Sequence, residues 1–152
     1  MEGFGPLARD RPIAVLLVED DPGDTLMIRE ALETHAPATD LATVGDGVDA
    51  MRYLRGEDEF AGSRRPDLVL LDLNMPRKDG REVLAEVKAD ESLRSIPVVV
   101  LTTSDSVADI SRSYQLHANA YVTKPSDLDD FIAVVACIER FFGQVVQLPR
   151  MN

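Results

Sequence analysis

The sequence predicts a doubly wound α/β domain with a five-stranded parallel sheet. Short apolar runs rich in β-branched residues alternate along the chain with segments whose apolar residues recur at helical spacing. No two apolar runs are joined by a short hairpin turn, so we expect right-handed crossovers and a parallel sheet covered on both faces. The predicted strands are Ile13–Val18, Leu41–Val44, Leu68–Leu71, Val98–Leu101 and Ala120–Val122.

The helices between these strands are indicated by their starts and their spacing. Asp21 can cap the first helix, and Asp24 places negative charge in its first turn. Ser126, with an acid three residues later, gives a similar signal for a long final helix, for which Gly143 is a plausible C-cap. Apolar residues at helical spacing include Ile28, Ala31 and Leu32, then Val83, Leu84 and Val87, then Val107, Ile110 and Tyr114.

Length and composition are typical of one globular domain. Domains usually contain about 100–200 residues, and this chain has 152, of which 45% are hydrophobic and 28% are charged. We expect a loose tail at residues 1–11, the α/β domain at residues 12–143 and a C-terminal tail at residues 144–152.

Composition also disfavours several classes of function. The 16 Lys and Arg residues against 27 Asp and Glu give a net charge of −11, which opposes direct nucleic-acid binding. Two His and one Cys cannot form the usual four-ligand zinc site, and a single Cys cannot form an internal disulfide. Neither a signal-peptide core nor an apolar run of membrane-spanning length is visible, so we expect no membrane contact and a cytoplasmic location.

Polar residues stand at the ends of four predicted strands. Glu19 and Asp20 follow the first strand, Asp72 the third, Thr102 the fourth and Lys124 the fifth. The carboxyl ends of parallel strands form one edge, where ligands bind beside the point at which the strand order reverses. We therefore expect these five side chains to lie close together.

This set of side chains suits a divalent cation and phosphoryl transfer. Crowded carboxylates repel one another unless a cation intervenes, and Asp20, Asp72 and, through water, Glu19 offer the hard oxygens that Mg²⁺ prefers. A carboxylate beside the cation can attack a phosphoryl group and form an acyl phosphate. The Lys124 ammonium and the Thr102 hydroxyl can then stabilise the phosphoryl oxygens. The set predicts Mg²⁺-dependent formation of an aspartyl phosphate.

Four motifs resemble those of a two-component response-regulator receiver domain, in the same order and spacing, between about residues 13 and 142. They are LLVEDD (16–21), LLDLNMPRKDG (70–80), VLTTS (100–104) and YVTKP (121–125). The resemblance implies a flavodoxin-like sheet with strand order 2-1-3-4-5. It also implies a signalling protein, not a turnover enzyme, in which Asp72 accepts a phosphoryl group from a histidine kinase.

The same resemblance implies roles for the remaining motif residues. Glu19 and Asp20 would be the acidic pair, with Asp20 binding Mg²⁺ directly and the backbone carbonyl of Asn74 as a further ligand. The switch and phosphate-sensing set would be Thr102, Tyr121 and Lys124. One departure concerns Thr103, because the position after the switch threonine is often a very small residue, and the rate of dephosphorylation is left open.

Three further segments are similar to response regulators that consist of a receiver alone and partner phytochrome histidine kinases. These segments are Leu101–Ser104, Ala118–Tyr121 and Leu148–Pro149. The implied partner is a sensor histidine kinase of the phytochrome class, and output would pass through protein contacts or onward phosphotransfer.

The last predicted helix has an apolar surface wider than one sheet face requires. At about 100° per residue, the stripe suited to the sheet contains Leu128, Phe131, Ile132, Val135 and Phe142. Val134, Ile138 and Phe141 widen it, and Val145, Val146 and Leu148 continue it into the tail. Because water does not favour such a patch, we expect a homodimer through the fourth and fifth helices, the fifth strand and the tail. Receivers similar to this chain commonly pair through that face, and the alternative is a tail folded onto its own domain.

Two other functions stay open at this point. One is a receiver-like interaction module that is never phosphorylated, against which the intact acidic set argues. The other is a phosphatase of the haloacid-dehalogenase type, which also forms an aspartyl phosphate. That family needs a second Asp two residues after the nucleophile, and this chain has Asn74 there.

Overall fold

The computed structural model describes residues 12–149, and these residues form the α/β architecture that the sequence predicts. The strands are β1 (Ala14–Val18), β2 (Asp40–Val44), β3 (Leu68–Leu71), β4 (Val98–Thr102) and β5 (Ala120–Thr123). The helices are α1 (Pro22–His35), α2 (Gly47–Arg55), α3 (Gly80–Ala89), α4 (Val107–Gln115) and α5 (Leu128–Arg140). A short 3₁₀ helix spans Asp58–Phe60, and a π-helical turn follows α5 at Phe141–Val145. The tail expected at residues 1–11 lies outside the described residues, as do residues 150–152.

The five strands are parallel and lie in the order β2-β1-β3-β4-β5, which confirms the expected topology. Since β1 lies between β2 and β3, the chain passes from β1 outward to β2 and then crosses back to β3. The strand order therefore reverses between β1 and β3, and ligands of such sheets bind beyond the carboxyl ends of these strands.

Two apolar layers cover the sheet, one on each face. Neighbouring residues Leu16 and Leu17 of β1 point to opposite faces, and both are buried. The layer under α2 and α3 includes Leu16, Val18, Met51, Leu71, Val83 and Leu84. The layer under α1 and α5 includes Leu17, Ile28, Leu32, Leu70, Phe131 and Val135. Burial on both faces explains why the central strands are apolar throughout and do not alternate.

The first helix begins where the sequence predicts, but the last begins one residue later. Asp21 caps α1 by accepting a hydrogen bond from the backbone N–H of Gly23 at 2.8 Å. In α5 the cap is Asp127, not Ser126, and its carboxylate accepts from the N–H of Asp130 at 3.0 Å. Asp127 has the extended backbone that a cap requires, and its carboxylate reaches the third N–H of the helix.

The apolar stripe of α5 is also shifted relative to the prediction. Ile138 belongs to the core together with Phe131 and Val135, whereas Leu128 is 53% exposed. Residues 131, 135 and 138 follow helical spacing and face the sheet, but Leu128 lies in the first turn beside Pro125 at the carboxyl edge. The predicted stripe therefore begins one turn too early.

Gly143 is not a C-cap, which corrects a second expectation for this helix. The α-helix ends at Arg140, and residue 143 is buried inside the π-helical turn that follows. A Cβ at Gly143 would overlap with the carboxylate of Glu139. Close approach of the Glu139 side chain, and not a left-handed backbone, therefore favours glycine at this position.

Among residues 12–149, no helix is both long enough and apolar enough to cross a bilayer.

Candidate functional site

An open cleft lies at the carboxyl edge of the sheet, where the strand order reverses. Its lining residues are Glu19, Asp20, Asp21, Pro22, Asp24, Asp72, Asn74, Thr103 and Lys124. Five of these were predicted from the sequence as site residues: Glu19, Asp20, Asp72, Asn74 and Lys124. The structure thus brings together residues that are separated by up to 105 positions in the chain.

Backbone hydrogen bonds continue past the strand ends and fix the positions of the main side chains. The N–H of Glu19 donates to the carbonyl of Val44 at 3.0 Å, and the N–H of Asp72 donates to that of Val18 at 3.0 Å. The N–H of Lys124 donates to the Thr102 carbonyl at 2.7 Å. Each side chain therefore leaves the sheet from a backbone that the neighbouring strand holds in place.

Three carboxylates of the cleft can hold a divalent metal ion. One oxygen each from Glu19, Asp20 and Asp72 lies within 4.8 Å of the other two. Glu19 and Asp72 are buried, whereas Asp20 is exposed to the cleft. Oxygen donors at this spacing fit a hard cation, which would remove the repulsion among the three charges.

Lys124 is the cation that faces this acidic set. Its side chain is only 4% exposed, and its ammonium pairs with Glu19, with Asp24 at 2.8 Å and with Asp72 Oδ2 at 3.5 Å. Burial alone would lower the pKa of Lys124, but hydrogen bonds to Asp24 and Glu19 outweigh it and raise the pKa above its ordinary value. Lys124 therefore stays charged in this cleft.

The cleft changes the ionisation of the Glu19 carboxyl. Burial raises the pKa of Glu19 to about 7, although its hydrogen bond with Lys124 acts in the opposite direction. The charge of Asp72 adds to the rise, while the N–H of Asp21 donates to Glu19 Oε2 at 3.2 Å and opposes it. A divalent cation would have to displace a proton from Glu19 in mildly acidic solution.

Asp72 presents one carboxylate oxygen to the ammonium of Lys124. Its Oδ1 accepts a hydrogen bond from the N–H of Leu73 at 2.8 Å, and its Oδ2 is the oxygen nearest to Lys124. The following loop folds tightly over the Asp72 backbone, because the N–H of Gly80 donates to the Leu73 carbonyl at 2.8 Å. A Cβ at Gly80 would overlap with the Asp72 carbonyl oxygen, so this position requires glycine.

Two predicted site residues lie outside the cleft lining. Thr102 is completely buried at the end of β4, and its hydroxyl has no hydrogen-bond partner among the described residues. The hydroxyl of Tyr121 in β5 donates to the carbonyl of Ser104 at 2.7 Å. A buried hydroxyl that makes no hydrogen bond to any of the described residues costs stability. It also remains available as a hydrogen-bond donor next to the cleft.

Asp24 lines the cleft, whereas the sequence predicts for it only a negative charge in the first turn of the first helix. A signal was present, since residues 24, 28 and 31 follow helical spacing and the latter two are the buried residues Ile28 and Ala31. An acid on the buried stripe, one turn from the strand end, predicts a partner in the site. That partner is Lys124.

Comparison with known proteins agrees with this geometry. The profile of the response regulator receiver domain matches residues 15–136. The response regulator Rcp1 of Synechocystis sp. (strain ATCC 27184 / PCC 6803 / Kazusa) is 47% identical over 138 residues, which cover 91% of this chain and 94% of the relative.

Two solved structures are similar over nearly all of the described residues. The phosphorylated cyanobacterial phytochrome response regulator RcpA superposes with a TM-score of 0.88 at 49% identity, covering 91% of this chain and 99% of that one. The Mn²⁺-bound form of Rcp1 gives a TM-score of 0.87 at 47% identity, covering 91% and 100%. Family profile, sequence relatives and fold agree, and this chain therefore belongs to the response regulator receiver domain family.

Proposed function

We propose that Asp72 accepts a phosphoryl group from a sensor histidine kinase. The observation that carries this proposal is the Asp72 carboxylate, which lies in an open cleft with Lys124 at 3.5 Å and two further carboxylates beside it. An Asp72 oxygen forms a bond to phosphorus as the P–N bond of a phosphohistidine breaks. The bonding electron pair returns to the imidazole nitrogen, and the product is an acyl phosphate.

The same proposal assigns Mg²⁺ as the cofactor. Asp20, Asp72 and the backbone carbonyl of Asn74 would bind it directly, and Glu19 would bind it through water. Magnesium usually takes one or two carboxylates and keeps several waters. Its positive charge would neutralise the charge of the phosphoryl oxygens. A structure of the relative Rcp1 is of its Mn²⁺-bound form, which supports a divalent cation as the cofactor here.

Lys124 and Thr102 then respond to the new charge on Asp72. Phosphorylation adds roughly −1.5 to −2 charges near neutral pH, which attract an ammonium and a hydroxyl donor. The Thr102 hydroxyl, which has no hydrogen-bond partner within residues 12–149, is available for such a bond. Movement of Thr102 would draw Tyr121 inward from Ser104 and change the surface around α4, which is the proposed output of the switch.

The proposed kinase partner is a phytochrome. RcpA, a relative at 49% identity, is named as a phytochrome response regulator, and that name supports a partner of the same class here. The proposed setting is the cytoplasm, since the chain has a single cysteine and needs no oxidising compartment. Output would pass by protein contact or onward phosphotransfer.

We also propose that a second copy of this chain covers an apolar surface on α4, β5, α5 and the C-terminal tail. Val107 is 80% exposed, Tyr114 49% and Phe141 48%, although all three are large and apolar or aromatic. In α4 the only buried residue is Ser113, so its own domain leaves Val107 and Tyr114 of the predicted stripe exposed and Ile110 half-buried. Leu148 instead packs partly against the core of its own domain, as the alternative for the tail expects.

Acetyl phosphate with Mg²⁺ tests the phosphoacceptor assignment by intact-mass spectrometry. We expect an acid-stable, hydroxylamine-sensitive adduct of about 80 Da, and none in Asp72→Asn. Asp105→Asn is the matched control, because it removes an exposed carboxylate from a nearby loop and should keep the adduct. An adduct that persists in Asp72→Asn contradicts the assignment. A wild-type chain that binds no Mg²⁺ and forms no adduct favours the interaction module, whereas turnover of phosphomonoesters would favour the phosphatase.

A further inference from the structure

Lys124 has a carboxylate partner that the proposed phosphotransfer does not use. Asp24 Oδ2 accepts a hydrogen bond from the Lys124 ammonium at 2.8 Å, which is shorter than the 3.5 Å between that ammonium and Asp72. Asp24 comes from the first turn of α1, and its side chain is 19% exposed. It is not one of the three carboxylates that cluster closely enough to share a metal ion.

The three partners of Lys124 differ in what a metal ion would do to them. An ammonium has three N–H donors, and here three carboxylates surround it. Glu19 and Asp72 both belong to the acidic cluster, so a bound cation competes with Lys124 for their oxygens. Asp24 lies outside that cluster and can keep its bond to the ammonium in either condition.

Resting on the proposed function, we propose that Asp24 is a positioning residue for phosphotransfer: it would hold the Lys124 ammonium beside Asp72 when Glu19 is engaged with a bound metal ion. A lysine side chain is flexible and is directed mainly by its partners. Asp24 is well suited to this task because the backbone of the first turn of α1 fixes its position. The N-terminal end of a helix also favours a negative charge there.

A simpler role for Asp24 would be to stabilise α1 by its charge alone. That role would not depend on Lys124, and any acid of the same helix turn would supply it. The direct 2.8 Å contact across 100 residues of sequence separation instead links α1 to the loop after β5. The two roles predict different behaviour of the Lys124 ammonium, which NMR can observe separately from phosphotransfer.

The test uses the full chain with Asp24→Ala, and Glu30→Gln as the matched control. Glu30→Gln removes one negative charge from an exposed position of the same helix. The first readout is the ¹⁵N-ammonium resonance of Lys124, assigned by its loss in Lys124→Arg and recorded with and without Mg²⁺. In Asp24→Ala we expect the resonance to persist without Mg²⁺, where Glu19 still holds the ammonium, and to be lost to solvent exchange with Mg²⁺. Wild type and Glu30→Gln should keep it in both conditions.

The second readout is the rate of phosphorylation by acetyl phosphate in Mg²⁺. We expect Asp24→Ala to be slower by about tenfold because the ammonium is no longer aligned, and Glu30→Gln to stay within about twofold of wild type. Asp24→Asn keeps an acceptor of the same shape, so it should fall between the two; it also replaces Asp24→Ala in both readouts if that variant does not fold.

Two results would overturn the proposal. One is a Lys124 resonance in Mg²⁺ that Asp24→Ala leaves unchanged, whatever the rate; the other is an unchanged rate. Failure of the proposed function is distinguishable, because the wild-type chain would then form no adduct while the resonance still reports on Asp24.

Discussion

The hydroxyl of Tyr121 donates a hydrogen bond to the carbonyl oxygen of Ser104 at 2.7 Å and so joins β5 to the loop before α4. The same serine is held from the other side, since its hydroxyl donates to Asp109 at 2.6 Å. Asp109 in turn pairs with Arg81 of α3 at 2.7 Å. The loop that follows Thr102 is therefore anchored to two neighbouring elements.

We expect Tyr121→Phe to loosen the loop before α4. The substitution removes the donor to Ser104 and leaves the ring, so backbone amides of residues 104–109 should exchange with deuterium several-fold faster. Tyr53→Phe is the control, because it removes a hydroxyl from α2, on another part of the fold, and should leave these amides unchanged. Equal exchange in Tyr121→Phe and wild type would show that the Tyr121 hydrogen bond does not hold the loop.

We expect Thr102→Val to increase the stability of the fold but to abolish the proposed switch. The Thr102 hydroxyl is buried without a partner among the described residues, so replacing it with a methyl group should stabilise the chain by about 1 kcal/mol in urea unfolding. The same variant should lose the change that beryllofluoride and Mg²⁺ induce at Tyr121, measured by NMR. Thr102→Ser keeps the hydroxyl and should keep that change. A marked loss of stability in Thr102→Val would mean that the hydroxyl is bonded in solution.

Gly80→Ala and Gly45→Ala form a matched pair on the same side of the fold. A methyl group at position 80 would overlap with the Asp72 carbonyl oxygen, whereas at position 45 it would meet no atom within 4 Å. We expect Gly80→Ala to cost roughly 1–3 kcal/mol or more in urea unfolding and to slow phosphorylation, since the Asp72 backbone must move. Gly45→Ala should lie within about 0.5 kcal/mol of wild type. Similar costs for the two variants would contradict the close approach.

The fold could be predicted from the sequence because strands buried on both faces are apolar throughout. That pattern is visible in short segments of the chain. The strand Leu68–Leu71 has the predicted bounds, and the residues that follow β1, β3 and β5 reach one cleft as parallel topology requires. The carboxyl ends of parallel strands lie at one edge for any loop conformation, so the sequence alone places Glu19, Asp72 and Lys124 together.

The parts that the sequence did not predict depend on distances between elements. The charge of Asp24 in the first turn of α1 has a local explanation, and only the approach of the loop after β5 to α1 reveals Lys124 as its partner. Ile138 is buried and Leu128 is exposed, the reverse of what the predicted stripe implies, because Leu128 lies in the first turn of α5 beside Pro125. Gly143 lies against the side chain of Glu139. A rule that places glycine at the C-terminal end of a helix does not predict such a contact.

Asp46 is expected to stabilise the loop after Asp72 as well as α2. It caps α2 by accepting from the N–H of Asp49 at 2.8 Å, and it pairs with Arg77 of that loop at 2.5 Å. Asp46→Ala removes both bonds and should cost roughly 1–2 kcal/mol in urea unfolding. Asp46→Asn keeps a good cap and loses only the ion pair, so its cost should be clearly smaller.

The Asp46 ion pair also predicts a dependence on pH. Burial opposes ionisation, but the N–H of Asp49 and the guanidinium of Arg77 outweigh it and lower the pKa of Asp46 below 3.8. Its stabilising effect is therefore present above the unfolded pKa and is lost as the pH falls through the folded pKa. The stability difference between wild type and Asp46→Asn should shrink in strongly acidic solution, and a constant difference would exclude an ionic contribution.

Metal binding should weaken as the pH falls below about 7, because Glu19 is then protonated in the metal-free chain. If one proton is displaced, the apparent affinity for Mg²⁺ should fall by about tenfold per pH unit below that value, as calorimetric titration can measure. Glu19→Gln has no proton to lose, so this slope should disappear even if its affinity is lower overall. A slope that persists in Glu19→Gln would assign the proton to another group.

Glu19 also determines how the stability of the metal-free chain changes with pH. Since the pKa of Glu19 rises from 4.5 to about 7 on folding, the unfolded chain loses its proton first. Stability from this group is fully present below the unfolded value and is lost as the pH rises through the folded one. Saturating Mg²⁺ favours the ionised form of Glu19 in the folded chain, so it should reduce that loss, and unfolding curves with and without Mg²⁺ should diverge as the pH rises. Parallel curves over this range would mean that Mg²⁺ binding leaves the charge of Glu19 unchanged.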